Sequence, residues 1–260
     1  MKALQIAATG MKAQERNVEV ISNNVANMRT TGFKKQRADF QDLLYQNLRR
    51  MGTETSDAGT IVPTGVQIGS GVKIASTARI MSQGSLEQTG KELDVAIRGE
   101  GFFQIELPDG NTGYTRDGSF ERDADGQLVT VDGYTVNPGI TIPDGTQDIT
   151  ISNTGEVQGI NQTGGTVTLG QIQLARFVNK SGLEAIGDNL FLETNASGTP
   201  QTGNPNDSGF GNVQQYFLEM ANVDAVTEIA DLISAQRAYE MNSRIIKAAD
   251  EMYSTTANLR

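Results

Sequence analysis

From Lys2 to about Asn27 the apolar residues recur at helical spacing. Leu4, Met11, Val18 and Val25 stand seven apart, and Ala7, Gln14, Ile21 and Met28 repeat that interval three positions on. This is an a/d seam with one polar defect, and it predicts a helix. The other end of the chain behaves in the same way. Ala225, Leu232, Tyr239, Ile246 and Tyr253 form a second row of seven-residue steps, with Ile229, Ile233, Ile245 and Met252 beside it. The stretch from about Val213 to Leu259 contains no Gly or Pro and is predicted helical throughout. Two amphipathic helices lying on a globular core would give such stripes. The sharper reading is a coiled coil between the two chain ends. The N-terminal helix carries few large apolar side chains for its length. It is expected to be mobile in the isolated chain and to become ordered once neighbouring chains cover more than one of its faces.

Between the helices the period changes. Residues 46–72 are polar and rich in Gly, Ser and Thr, with Pro63 and no helical repeat, and are expected to be extended or looped. The runs "LDVAI" and "FFQIEL" have the character of buried strands. Asp-Gly pairs at 109–110, 117–118, 125–126 and 132–133 are four hairpin signals, so residues 95–137 are predicted to form a β-meander. Further short strands follow up to about residue 192, and residues 193–212 read as a loop returning to the C-terminal helix. The fold class is therefore α+β: N- and C-terminal helices pairing as a coiled coil, with a mostly antiparallel β domain inserted between them. The corresponding divisions are residues 1–30 with 213–260, a connector at 31–74, and a β domain at 75–212.

Composition sharpens this picture. A hydrophobic content of 37% with 6% aromatics is thin for one globule of 260 residues, which suggests apolar surface buried between chains. The net charge is −10; residues 1–50 hold 9 Lys/Arg against 4 Asp/Glu, or +5, leaving −15 for the rest. The basic residues of the N-terminal arm alternate with apolar ones at helical spacing, and their one cluster is Lys34, Lys35 and Arg37, so nucleic acid is not the expected partner. The chain has no Cys, His or Trp. That removes thiol catalysis, histidine general-base chemistry and His- or Cys-ligated zinc. No apolar run approaches the ~20 residues of a membrane span. The first residues lack the continuous apolar core of a cleaved secretory signal, so a cytoplasmic protein or one exported without such a signal is expected.

Candidate chemical motifs resolve into structural ones. "RGEGFF" has glycines like a phosphate loop but lies within a β pattern rather than opening a helix. "DADG" at 123–126 starts like a calcium loop, yet the position needing its bidentate glutamate is Tyr134, so a turn is expected. The Asn-x-Ser/Thr triplets at Asn161, Asn195 and Asn206 are unremarkable in so polar a chain. No catalytic residue, cofactor site or metal site is assigned. A carboxylate hydrolase on a β scaffold and a coiled-coil adhesin or binding module are the alternative readings.

Several segments resemble the flagellar basal-body rod and hook family. They are "ISNNVANMRTTGFKKQRADFQDLL" (21–44), "GSLEQTGKELDVAIRGEGFFQI" (84–105), "YTRDGSFERDADGQLVTVDGYTV" (114–136) and "LISAQRAYEMNSRIIKAADEM" (232–252). "VPTGVQIGSGV" (62–72) resembles the insertion of the family's distal rod branch; a proximal rod subunit is the competing assignment. The resemblance implies a structural subunit that leaves the cell through the flagellar type III export apparatus without a cleaved signal. Its terminal helices would pair on assembly into an inner helical tube, with the β domain outside. It further implies a drive shaft crossing the periplasm. The implied partners are further copies of itself, proximal rod proteins, the hook protein and the P-ring and L-ring proteins.

The residues expected to carry assembly follow. Leu4, Met11, Val18, Ile21 and Val25 form the N-terminal seam, and Leu232, Tyr239, Ile246 and Tyr253 the C-terminal one. Asn23, Asn24 and Asn27 are expected to hydrogen-bond near the helix end, with Gly32 supplying a turn and Phe33 an apolar anchor. The resemblance implies a rod-stiffening role for the segment containing Gln46, Pro63, Gly65, Ile68 and Val72.

Overall fold

The computed structural model describes residues 2–49, 51, 64–161 and 164–258. They fall into two compact units. The described parts of Met1–Val25, Gln36–Ala78 and Asp224–Arg260 make the first; those of Ala26–Lys35 and Arg79–Val223 make the second.

The first unit holds the long helices α1 (Lys2–Ala26) and α2 (Ala225–Asn258). It also holds two short ribbons. β1 (Gln36–Asp42) pairs with β4 (Val72–Arg79), and β2 (Tyr45–Arg49) pairs antiparallel with β3 (Val66–Gly69). The second pairing makes both ends of 46–72 extended rather than looped: Gln46 lies opposite Ile68 and Asn47 opposite Gln67. Val and Ile in "VQIG" supply β propensity despite the glycines around them.

The C-terminal helix starts later than the Gly- and Pro-free stretch predicts, at the first residue of the seven-residue row. Asn212–Gln215 and Phe217–Glu219 are strands, and α2 begins at Ala225. Asp224 sets that start: its Oδ1 accepts the backbone N–H of Val226 at 2.8 Å and of Thr227 at 3.0 Å. A side-chain acceptor satisfies donors that the first helical turn leaves unpaired. Freedom from Gly and Pro permits a helix over 213–224 but does not initiate one.

The second unit is almost wholly β. Its largest sheet runs in the order β16 (Glu184–Gly187), β17 (Leu190–Leu192), β8 (Thr112–Thr115), β7 (Phe102–Glu106), β11 (Thr135–Val136), β10 (Leu128–Thr130) and β9 (Phe120–Arg122). One edge of β7 serves two partners in succession: β15 (Leu174–Arg176) opposite Phe102 and Phe103, then β11 opposite Ile105 and Glu106. β18 (Gln201–Gly203) extends β15, within the span read as a loop. β13 (Glu156–Ile160) stands between β12 (Asp148–Ile151) and β14 (Thr166–Gln171). The strands before α2 return to the start of the unit: β19 (Asn212–Gln215) on β6 (Val95–Arg98), and β20 (Phe217–Glu219) on β5 (Leu86–Gln88).

Three of the four Asp-Gly pairs turn hairpins, with Gly110, Gly126 and Gly133 at positive φ. Asp117-Gly118 does not. β8 and β9 on either side of it are not neighbours, and the Gly118 carbonyl instead accepts the N–H of Val95 at 3.0 Å. The chain there crosses between strands, and the sheet is not a simple meander. The core fills from β6 and β7, both almost fully buried, as "LDVAI" and "FFQIEL" predicted. Phe103 meets Phe120 edge-on, and Phe102 meets Phe177 and Phe191 in the same way. Such contacts add about 0.5–1.5 kcal/mol each to the burial itself.

Replacing Asp224 by Ala should cost about 1 kcal/mol of helix stability. Far-ultraviolet circular dichroism of the polymerised full chain during heating checks this, and an unchanged melting curve would exclude the capping role.

Candidate self-assembly site

In the first unit the two helices meet along a row of small and polar residues. A Cβ placed on Gly10 would lie 2.9 Å from Nδ2 of Asn242, so glycine is what lets the helices approach there. Fourteen residues on, the Asn24 amide donates to Oε2 of Glu228 at 3.1 Å, and Glu228 lies fourteen residues before Asn242. The two contacts, two heptads apart on each helix, define an antiparallel register with Gly10 and Asn24 facing Asn242 and Glu228. Asn17 with Ala235 and Ala3 with Ala249 occupy the intervening and following rungs of that register. Glu228, Ala235 and Ala249 are buried, as are Ala7, Ala13, Ile21 and Asn24.

The rows of larger apolar residues flank this seam. Leu4, Met11, Val18 and Val25, one position along from it on α1, are half-buried, and Ile21 is buried. On α2, Leu232 and Ile246 are half-buried, whereas Tyr239 and Tyr253 are 44% and 47% exposed.

Among the asparagines at the end of α1, Asn24 is bound on every side. Its Nδ2 also donates to the Gln36 carbonyl at 2.8 Å, and its Oδ1 accepts the Gln36 N–H at 2.9 Å. It thereby fastens the helix end, β1 and α2 together. Asn23 is exposed, and Asn27 accepts the Thr30 hydroxyl at 3.2 Å. Gly32 adopts φ +67 and donates its N–H to the Glu219 carbonyl at 2.7 Å; a Cβ there would come within 2.6 Å of the Asp117 nitrogen. Phe33 is half-buried and lines a cavity of about 260 Å³ with Arg79 and Phe191. Burial there lowers the Arg79 pKa, and its guanidinium stacks 5.3 Å over the Phe191 ring.

Of the segment 46–72, Gln46 accepts from the Lys2 ammonium, and Gln46 and Ile68 line a small cavity with Lys2, Gln5 and Ile6 of α1. Gly65 lies against the Arg49 carbonyl, and the Val72 N–H donates to the Thr9 hydroxyl at 3.3 Å. Pro63 lies outside the described residues.

Lys34, which reads in the sequence as part of an exposed basic cluster, is fully buried in the second unit. Its ammonium binds Oε1 of Glu219 at 2.5 Å and donates to the Ser82 carbonyl at 2.8 Å. The same Oε1 accepts the Gly84 N–H at 2.9 Å, and Oε2 faces the Arg116 guanidinium at 3.4 Å. Two buried cations thus share one carboxylate. Burial pushes the Lys34 and Arg116 pKa values down, and Glu219 opposes it. Beside them Asn222 joins three passages of chain: its Oδ1 accepts the Lys35 N–H at 2.8 Å, while its Nδ2 donates to the Ile80 and Ser82 carbonyls at 2.8 and 3.1 Å. Periodicity could not reveal Glu219 and Asn222, because both lie in the stretch read as helix.

Among the described residues no acidic cluster is placed to hold a metal, and no helix is long and apolar enough to cross a membrane. Three family descriptions match the chain in order: "Flagella basal body rod protein" over 4–34, "Flagellar hook protein FlgE/F/G D1 domain" over 96–159, and "Flagellar basal body rod FlgEFG protein C-terminal" over 214–259. The flagellar basal-body rod protein FlgG of Caulobacter vibrioides is 57% identical over 261 residues, spanning 100% of both chains. FlgG of Agrobacterium fabrum is 55% identical over 98% of this chain and 97% of its own, and that of Borreliella burgdorferi 48% identical over 100% and 99%. The chain belongs to the FlgG family of flagellar basal-body rod proteins. It is a structural subunit of the rod.

In this FlgG-family chain Lys34 closes the span matched to the basal-body rod description, and Glu219 falls within the span matched to the FlgEFG C-terminal one. Glu219→Gln should cost about 3–5 kcal/mol, because it leaves two buried cations without a counter-charge. Lys34→Met should cost markedly less, since Arg116 still faces the carboxylate. Urea unfolding followed by tyrosine circular dichroism measures both; equal costs would contradict this division of charge.

Proposed function

We propose that this rod subunit builds the distal rod: a straight, rigid helical tube whose inner wall is made of α1 and α2 paired as a coiled coil. One observation carries the proposal. Among the described residues, fifteen of the twenty-one large apolar side chains left exposed belong to the first unit. They include Leu44 at 88%, Val226 at 79% and Met252 at 63%. The exposed residues of α2 do not share one stripe; Val226, Ile229 and Ile233 lie on a different face from Ile245 and Met252. A helix apolar on several faces is built to be enclosed, and the enclosing surface here is supplied by further copies of the chain.

Torque from the motor then passes along the tube to the hook, and the bore carries exported subunits outward. The tube spans the periplasm to the outer membrane, joined to proximal rod proteins below and the hook protein above, inside the P and L rings. Subunits reach it through the flagellar type III export apparatus without a cleaved signal. The ribbon β2–β3 and the residues between its strands stiffen the tube by contacting neighbouring copies. Every residue of β2 is exposed, and a lone two-stranded ribbon has little stability of its own.

Electron micrographs of the polymerised full chain should resolve a straight hollow tube, and deletion of 46–72 should give a tube that bends. A chain that never polymerises would overturn the proposal, and a straight tube from the deletion variant would remove the stiffening role.

A further inference from the structure

The β unit buries three charged side chains that do not cancel. Lys34 is wholly buried, Glu219 is 1% exposed and Arg116 is 3% exposed, so two cations share one carboxylate away from water. An uncompensated charge is unfavourable in such surroundings, and a titratable group there gives up its charge instead. Arginine stays protonated, so lysine is the cation that can yield.

The hydrogen bonds lead to the same group. An ammonium has three N–H donors and a neutral amine two. Among the described residues Lys34 Nζ has two acceptors, Oε1 of Glu219 at 2.5 Å and the Ser82 carbonyl at 2.8 Å. They match the amine and leave one proton of the ammonium without an acceptor. With Lys34 neutral, Oε2 of Glu219 keeps Arg116, 3.4 Å away, and one cation faces one carboxylate. Arg116 is also held from elsewhere, donating to the Ile97 and Gly99 carbonyls at 3.4 and 2.6 Å. The surrounding charges offset one another. Lys180 acts on Lys34 and Glu100 on Arg116, and these two are themselves an ion pair. Arg79 and Asp188, which line the cavity beside Lys34, bring one charge of each sign.

We infer that Lys34 is a proton-release site that couples pH to the hold between residues 26–35 and β20: the folded β unit favours the neutral amine, and protonation of Lys34 loosens it. Burial lowers the Lys34 pKa from its ordinary 10.5 and outweighs Glu219, the direction this balance requires. The unfolded chain therefore binds this proton more tightly than the folded one. The stability that protonation removes is regained as pH rises from the folded midpoint to 10.5, and is missing below that midpoint.

The carbon-13 shift of lysine Cε reports protonation directly. In the unpolymerised full-length chain, Lys34, assigned through its backbone, should titrate below every exposed lysine. A midpoint level with theirs or above would overturn the inference. Urea unfolding of the same chain, read from the Phe102 and Phe103 resonances, distinguishes a proton-release site from a merely structural lysine. Above the Lys34 midpoint the unfolding constant should fall with pH by up to tenfold more per unit than in Lys34→Met, always neutral, or Lys34→Arg, always charged. Lys34→Arg should also be the less stable of the two. Equal pH dependence in the unaltered chain and Lys34→Met would overturn the coupling. Where a variant fails to fold, the titration of the unaltered chain decides.

Discussion

The constraint on which this molecule turns is that its helical unit carries more apolar surface than the chain itself can cover. The seam between α1 and α2 is made of Gly10, Asn24, Glu228, Ala235, Asn242 and Ala249, residues that let two backbones approach but bury little hydrocarbon. The larger side chains flank that seam, half in water, or stand on other faces altogether. At about 25 cal/mol per Å² of apolar surface removed from water, the exposed side chains of α2, such as Val226 and Met252, leave part of the stabilisation available to these helices unused within one chain. A rod subunit gains from this arrangement. In the proposed tube, a close, polar-lined helix pair defines the register, and the hydrophobic surface around it holds the copies together.

The β unit follows the opposite rule. Its strands bury β6 and β7 almost completely and lock Phe102, Phe103 and their neighbours edge to face. It also buries charge. Glu219 holds Lys34 and Arg116, and Asn222 binds the chain at Lys35, Ile80 and Ser82, so the segments that enter and leave the unit are fixed at neighbouring points. A buried carboxylate shared by two cations is a costly way to gain stability. Its effect here is geometric: Lys34 and Arg116 are both held to the Glu219 strand at one buried point.

Much of this was legible in the sequence. Seven-residue rows marked both helices, and "LDVAI" and "FFQIEL" marked the buried strands. Three Asp-Gly pairs marked real hairpins. The fourth failed because a turn signal says nothing about which strands then pair, and Gly118 meets Val95 instead. The helix seam is not marked by large apolar residues; it is a row of Ala, Gly and Asn with the same period. That row stands at 3, 10, 17 and 24, one position before Leu4, Met11, Val18 and Val25. Lys34 and Glu219 were not legible at all. A lysine in a basic cluster and a glutamate in a helix-compatible stretch acquire their meaning only when residues 185 apart in sequence come together.

The central claim is that the helical unit is completed by its neighbours while the β unit is complete in one chain. Hydrogen exchange on the full-length protein, measured as monomer and as polymer, tests it most directly. Amides of α1 and α2 should exchange rapidly in the monomer and become strongly protected in the polymer, with β6 and β7 protected in both. Helices as protected in the monomer as in the polymer would contradict the account.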